Sequence, residues 1–332
     1  MKLDYALYQH PKLISVFGGS GFVGRHVVEA LTKRGYRVRI AVRCPQKAYY
    51  MLQIGEVGQT QMVKTNVKHR ASVARALLGA DGAVFLPGSL AQANQSNFKK
   101  SQIDGVKNVS ELTAEAGIPL IYMSALVANQ NASFLYARVK YMSEQIVQNK
   151  HPQAIIMRPS VIFGPEDCFF NTLANLSCLL PIMPLFGGGQ SKLQPVYVGD
   201  IAEFILRALE GQVIPGKSYD LGGPQIITFQ NTLEKVLKII QRKKTILSMP
   251  LSIGLLSGSF FGTLGKLPFV PTLVTTNQIR FLQVDNIVSQ EAIKNEYTFE
   301  GVGITPRAMA AFLPSYLWRF RPQGQFSKNL SA

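Results

Sequence analysis

The sequence predicts an α/β fold: a Rossmann doubly wound parallel sheet with a smaller α+β C-terminal lobe. Three observations carry this. Residues 13–43, LISVFGGSGFVGRHVVEALTKRGYRVRIAVR, read as strand, glycine turn, helix and strand. The alternation of short apolar runs with amphipathic stretches continues to about residue 157. From Arg158 onward prolines and glycines become frequent and strand-like runs shorten, so no second unit of the same kind follows. The expected domains are 1–157 and 158–332, the second partly built on the first.

The elements follow in order. Leu13 to Phe17 is too short for a helix and suits a buried strand. Val23, Val27, Val28 and Leu31 line one side of a helix, which Gly35 ends. Val38 to Val42 is the second strand, and Gln46 to Ile54 a short helix or loop. A third strand starts at Met62 and ends at Thr65-Asn66-Val67. A helix from His69 to Leu78 stops at Gly79. Ala83 to Leu86 is the fourth strand, followed by Pro87-Gly88. Asn97 to Ala116 is a long helix, Pro119 to Met123 the fifth strand, Phe134 to Asn149 a helix and Ala154 to Met157 the sixth strand. In the second half, Gln194 to Val198 and Ser218 to Leu221 read as short strands. Gly199 to Leu209 and Thr228 to Arg242 read as helices.

The glycines of the first turn have separate tasks. Gly18 makes the turn, Gly21 lets a backbone approach a pyrophosphate, and Gly24 lets the helix pack closely on the strand. Phe22 and Val23 open the helix, whose free N–H groups and positive dipole end suit a phosphate. Such a loop usually pairs with an acidic residue at the end of the second strand, bonded to the ribose 2′-hydroxyl. Here Arg43 stands at that place, and no carboxylate lies between Glu29 and Glu56. An arginine suits a 2′-phosphate, so the expected cofactor is NADP(H), preferred over NAD(H).

Composition narrows the classes. At 332 residues, 47% hydrophobic and 16% charged, the chain describes a folded protein with a large core. The cysteines Cys44, Cys168 and Cys178 lack metal or redox spacing, and the four histidines form no ligand pattern, so no metal is expected. The N-terminus MKLDYALYQHPK resembles neither a signal peptide nor an Arg-rich transit sequence. The protein is expected to work where it is made, or to have lost a presequence already. A net charge of +16 accompanies no nucleic-acid motif. A phosphate-rich cofactor, together with an anionic membrane surface or an acidic partner protein, accounts for it as well. Residues 245–265, TILSMPLSIGLLSGSFFGTLG, carry no charge. Pro250 and the glycines weaken a spanning helix, leaving a buried helix pair or an apolar surface flanked by Arg242-Lys243-Lys244 and Lys266.

Tyr136 and Lys140 lie one helical turn apart before the sixth strand, and Ser124 follows the fifth, at the carboxyl edge of the sheet where ligands bind. A lysine cation lowers the pKa of a neighbouring tyrosine, which can then exchange a proton with a carbonyl oxygen that the serine holds. The spacing alone is unspecific, since Tyr8 and Lys12 repeat it. Position singles out the later pair. Asp200 is catalytic by residue type, but its place before a helix suits a cap.

Together GGSGFVG at 18–24, MSAL at 123–126 and YARVK at 136–140 resemble the extended short-chain dehydrogenase/reductase family. RCPQ at 43–46, IPLIYMSAL at 118–126, AIIMRPSVIFGPEDCFFN at 154–171 and LQPVYVGDIA at 193–202 resemble its atypical branch, which contains the nucleotide-binding accessory subunit of respiratory complex I. The resemblance covers most of the chain and is loose after residue 245. It implies a largely structural NADPH in a subunit on the complex I arm near the membrane, here in a bacterial relative. It supports Gly18, Gly21, Gly24 and Arg43 as cofactor contacts. It adds Asn66 and Val67 on the adenine side, Leu86, Pro87 and Gly88 at the fourth strand's end, and Pro159, Ser160 and Val161 beside the nicotinamide. Ser124, Tyr136 and Lys140 match the triad. Asn66 departs from the family's acidic residue, and Phe17 from its threonine. The short separation of Ser124 from Tyr136 removes part of the wall with which sugar-nucleotide epimerases enclose their substrate. The expected location is cytoplasmic, peripheral on the inner face of the cytoplasmic membrane (the matrix side of the inner membrane if mitochondrial). Two rivals stand beside the subunit reading. One is an NADPH-dependent reductase or epimerase/dehydratase acting on a quinone-like or isoprenoid substrate. The other is a redox-sensing or scaffold protein without chemistry.

Overall fold

In the computed structural model, residues 11–88, 95–251 and 276–326 are described. Seven strands form one sheet: β1 (Leu13–Phe17), β2 (Arg37–Val42), β3 (Thr60–Lys64), β4 (Gly82–Phe85), β5 (Leu120–Met123), β6 (Ile155–Pro159) and β11 (Ser218–Leu221). Their order is β11-β6-β5-β4-β1-β2-β3, and every neighbouring pair is parallel. The order reverses between β1 and β4, which opens a crevice at the carboxyl edge.

Helices cover both faces. On one lie α1 (Phe22–Lys33) and α6 (Val198–Leu209), sharing a core with Val16, Ile40 and Val84 of the sheet. On the other lie α2 (Arg70–Leu77), α3 (Gln95–Glu115) and α4 (Leu135–Lys150), packed on Phe17, Phe85 and Tyr122. With both faces covered, β1 and β4 are buried along their length rather than alternating.

Residues after β6 do not form a detached unit. α6 packs on α1, and β11 extends the first sheet beside β6. The lobe proper holds β7 (Ile162–Phe163) with β10 (Val196–Tyr197), β8 (Ile182–Phe186) with β13 (Thr245–Met249), and β9 (Lys192–Leu193) with β12 (Ile227–Thr228). Helices α5 (Phe169–Leu179), α7 (Phe229–Ile239) and α10 (Met309–Leu317) close a second apolar core around Phe163 and Leu193. Two short helices, α8 (Thr276–Phe281) and α9 (Gln290–Lys294), lie between α7 and α10 in sequence. Asp167 ties this lobe together. Its carboxylate accepts Phe170 N–H at 2.6 Å and the Tyr316 hydroxyl at 2.7 Å, joining α5 to α10.

Two expectations are corrected here. Asp200 does not cap its helix: it lies inside the first turn of α6 and accepts Arg307 N–H at 2.8 Å and Arg307 Nε at 2.6 Å. It anchors the C-terminal segment, with the Arg307 guanidinium 4.7 Å over the Tyr197 ring. The uncharged stretch opens as a strand, not a helix, because residues 245–249 pair in register with β8. Residues 252–265 of that stretch lie outside the described residues. Among the described residues no helix is long and apolar enough to cross a membrane.

Candidate nucleotide site

The glycine loop joins β1 to α1. Gly18 has φ +79°, in the region that favours glycine, and its N–H donates to Ala41 O at 3.2 Å. A Cβ on Gly24 would stand 2.3 Å from Gly18 O and 2.6 Å from the Gly19 backbone, so helix and loop touch through backbone alone. A Cβ on Gly21 would meet only Gly18 O, at 3.3 Å, and the space beyond stays open. The first N–H groups of α1 have no acceptor within the helix. Phe22 and Val23 lend the cradle their backbone only: the Phe22 ring packs by Gly164 and edge-on to His26, and the Val23 side chain is buried in the core. The Tyr50 hydroxyl, from the 3-10 helix Pro45–Gln53, donates to Ser20 O at 2.9 Å and holds the loop from outside.

The end of β4 meets this loop. A Cβ on Gly18 would stand 3.2 Å from Pro87 N, and one on Gly88 3.2 Å from Lys140 Nζ. Leu86 is buried, and its N–H donates to Phe17 O at 3.0 Å. The structure therefore brings Gly18, Gly21, Gly24, Pro87, Gly88 and Lys140 to one edge. Ser124 joins them at the end of β5, where Met123 O accepts Lys140 Nζ at 2.8 Å. Ser124 is buried, and its Oγ has no hydrogen-bond partner.

Arg43 follows the last residue of β2, exposed, and makes no ion pair or hydrogen bond among the described residues. Asn66 and Val67 follow β3. The Asn66 Oδ1 accepts Lys68 N–H at 3.2 Å in a local turn, while Val67 O accepts Asn108 Nδ2 at 2.9 Å. Both are thereby fixed where the chain leaves β3.

Ser160 and Val161 directly follow β6, and their side chains turn to the lobe. The Ser160 hydroxyl donates to Asn286 O at 2.8 Å, and Val161 is buried in the lobe's core. Their side chains knit the lobe to the sheet. Pro159 O accepts Leu126 N–H at 3.2 Å, closing the loop that follows β5.

The acid–base pair also differs from expectation. Lys140 does not lower the tyrosine's pKa. Its ammonium turns to Met123 O and lies 5.2 Å from the Tyr122 ring. The Tyr136 ring stacks on Phe98 at 5.8 Å, and burial pushes its phenol up to about 12. Burial brings Lys140 down to about 7, against the attraction of Glu144 one turn along the helix. Glu144 itself is buried and bonded to Arg158 at 2.6 and 2.9 Å.

Sequence reasoning missed Gln102. It is buried on α3, its Nε2 donates to Pro87 O at 2.6 Å, and its Oε1 has no partner. The signal was present: Gln102 is the polar member of the Phe98, Gln102, Val106, Val109 stripe. Among the described residues no cluster of three or more His, Cys, Asp or Glu could hold a metal ion, and the three cysteines are unpaired.

These features fit a dinucleotide: a cradle that a Cβ would fill, and orphaned polar atoms on Ser124 and Gln102. The model of the NAD dependent epimerase/dehydratase family matches residues 14–222. The chain belongs to this family. The match ends just past β11. A relative in Arabidopsis thaliana, "NADH dehydrogenase [ubiquinone] 1 alpha subcomplex subunit 9, mitochondrial", is 28% identical over 319 residues, covering 93% of this chain and 78% of its own. The Mus musculus protein of the same name is 28% identical over 298 residues, covering 86% and 78%. Among solved structures, the dTDP-glucose 4,6-dehydratase DesIV of Streptomyces venezuelae, with NAD and TYD bound, shares the fold. It aligns with a TM-score of 0.67 at 17% identity, covering 93% of this chain and 96% of its own.

Proposed function

We propose that this epimerase/dehydratase-family chain binds NADP(H) as a structural or regulatory nucleotide. We place it as a complex I accessory-type subunit held peripherally at the membrane, on the cytoplasmic or matrix side. One observation carries the reading: the nucleotide cradle is intact while the acid–base pair is not poised for work. Burial holds the Tyr136 phenol up at about 12, and Lys140 donates to a backbone carbonyl instead of to the phenol. The family resemblance to subunit 9 supplies the partner class.

In this reading the glycine loop and the start of α1 receive the pyrophosphate, and Arg43 the 2′-phosphate. Lys140 and Ser124 face the ribose and nicotinamide end. A bound nicotinamide nucleotide supplies hydride chemistry wherever a substrate can reach it.

Cofactor choice is tested at Arg43. A charge-assisted hydrogen bond contributes roughly 1.5–3 kcal/mol, about one to two decades in affinity. Arg43→Asp should weaken NADPH by that factor and spare or improve NADH, read by fluorescence titration of both. Unchanged NADPH affinity in the variant would sink the assignment.

Role is tested at Tyr136. Tyr136→Phe removes one hydroxyl from a site held by many contacts. It should leave nucleotide affinity within about threefold and stability within about 0.5 kcal/mol. The enzyme reading rests on the orphaned Ser124 hydroxyl, which could hold a carbonyl oxygen. NADPH oxidation that requires an added quinone-like or isoprenoid substrate, and that vanishes in Tyr136→Phe, would establish that reading instead.

A further inference from the structure

We propose that the outer face of the β8–β13 sheet, with the neighbouring end of α5, is the surface on which this protein lies against an anionic phospholipid bilayer. The proposal rests on the peripheral location given above and names the face that makes it.

Register defines the face. Ile182 lies opposite Thr245 and Pro184 opposite Leu247. Successive side chains in a strand point to opposite sides. Met183 and Leu185 therefore point inward and are buried, whereas Ile182 and Leu247 point outward, 44% and 45% exposed. Leu179, at the end of α5, is 60% exposed beside them. Trp318 is exposed on the C-terminal segment, which Arg242 joins to β13 through Phe320 O at 2.9 Å.

Charge on this face has one sign. The strand pair and the residues leading into it, 179–186 and 242–249, contain Arg242, Lys243 and Lys244 but no Asp or Glu. The whole chain has 19 carboxylates, so their absence here is local. Lys244 stands at the rim of the apolar patch, its Nζ donating to Leu180 O at 2.7 Å, and Lys243 beside it is exposed. Aliphatic side chains bordered by lysines, with no Asp or Glu in the same strands, match a headgroup layer over acyl chains. An ordinary solvated face mixes both signs.

The test uses the full-length protein with its bound nucleotide and sedimented vesicles. One set is pure phosphatidylcholine; in the other about a third of the lipid is phosphatidylglycerol. Binding is expected to the second set at low salt, and to fall when about 1 M salt shortens the Debye length to about 3 Å. Lys243→Gln should lower partitioning about fivefold, and Leu247→Ser about tenfold. Both sites are exposed, and retained nucleotide reports that each variant is folded. Lys64→Gln, exposed on β3, should change nothing. No binding to either set, equal binding to both, or indifference to both substitutions would overturn the proposal. Capture by an acidic protein without any vesicle binding would do so too, and would reassign the face. Lost vesicle binding with the nucleotide retained leaves the nucleotide reading standing; absent nucleotide with intact vesicle binding strikes that reading alone.

Discussion

Gly24→Ala is expected to abolish nucleotide binding and to destabilise the protein by about 1–3 kcal/mol. The added methyl would lie 2.3 Å from Gly18 O and 2.6 Å from the Gly19 backbone. No side chain can swing aside there, so either α1 tilts off the sheet or the loop opens. Both spoil the cradle. Gly21→Val separates the two effects. Its Cβ would meet only Gly18 O, at 3.3 Å, so stability should hold to within about 1 kcal/mol. Its methyls would nevertheless fill the space where a pyrophosphate must lie. Thermal unfolding and NADPH titration of both variants read these outcomes. A Gly24→Ala protein as stable as wild type would refute the packing account.

Lys140→Met is expected to raise the stability of the nucleotide-free protein while weakening NADPH by one to two decades. Lys140 is fully buried, and its pKa falls from the unfolded value of 10.5 to about 7. Between those two values the unfolded chain binds the extra proton, so wild-type stability should rise with pH across that window. Methionine of similar length removes both the buried charge and this dependence. Such exchanges are neutral or stabilising by about 1–4 kcal/mol, and here Met123 O is left without its donor, which places the gain at the lower end. Urea midpoints of both proteins, followed from about pH 7 to about pH 10, should converge as pH rises. A constant difference across the window would show that Lys140 is protonated throughout. The site thus holds a group that the empty fold disfavours, as expected of a residue kept for a ligand.

The sheet was legible because its strands are buried on both faces and its helices amphipathic. Such runs need no tertiary knowledge to find. The glycine loop was legible for a related reason: Gly18 and Gly24 meet backbone, and no other residue fits. The side-chain roles of Ser160, Asp200 and Lys140 were not legible, because each depends on a partner far along the chain or on a choice of rotamer. Ser160 bonds Asn286 and Asp200 bonds Arg307, more than a hundred residues away. Lys140 and Tyr136 share a helix face, as their spacing requires. The spacing could not say that the ammonium would turn to Met123 O or that Phe98 would stack on the phenol. The strand at 245–249 was missed because its partner β8 is fixed by the lobe and by no local propensity.

The return of β11 to the first sheet gives this chain an unfavourable moment during its own synthesis. β6 is an apolar strand whose outer edge is satisfied only by residues 218–221. A nascent chain that has released Pro159 must wait for residues 160 to 221, a few seconds at roughly 5–20 residues per second. Through that interval the main-chain groups of Ile156 and Arg158, which β11 will take up, offer an open pairing edge to any passing strand. Products that stop short of β11, whether by premature termination or by proteolytic nicking, keep that edge permanently. They should therefore self-associate and be cleared by quality control instead of persisting as a free nucleotide-binding domain.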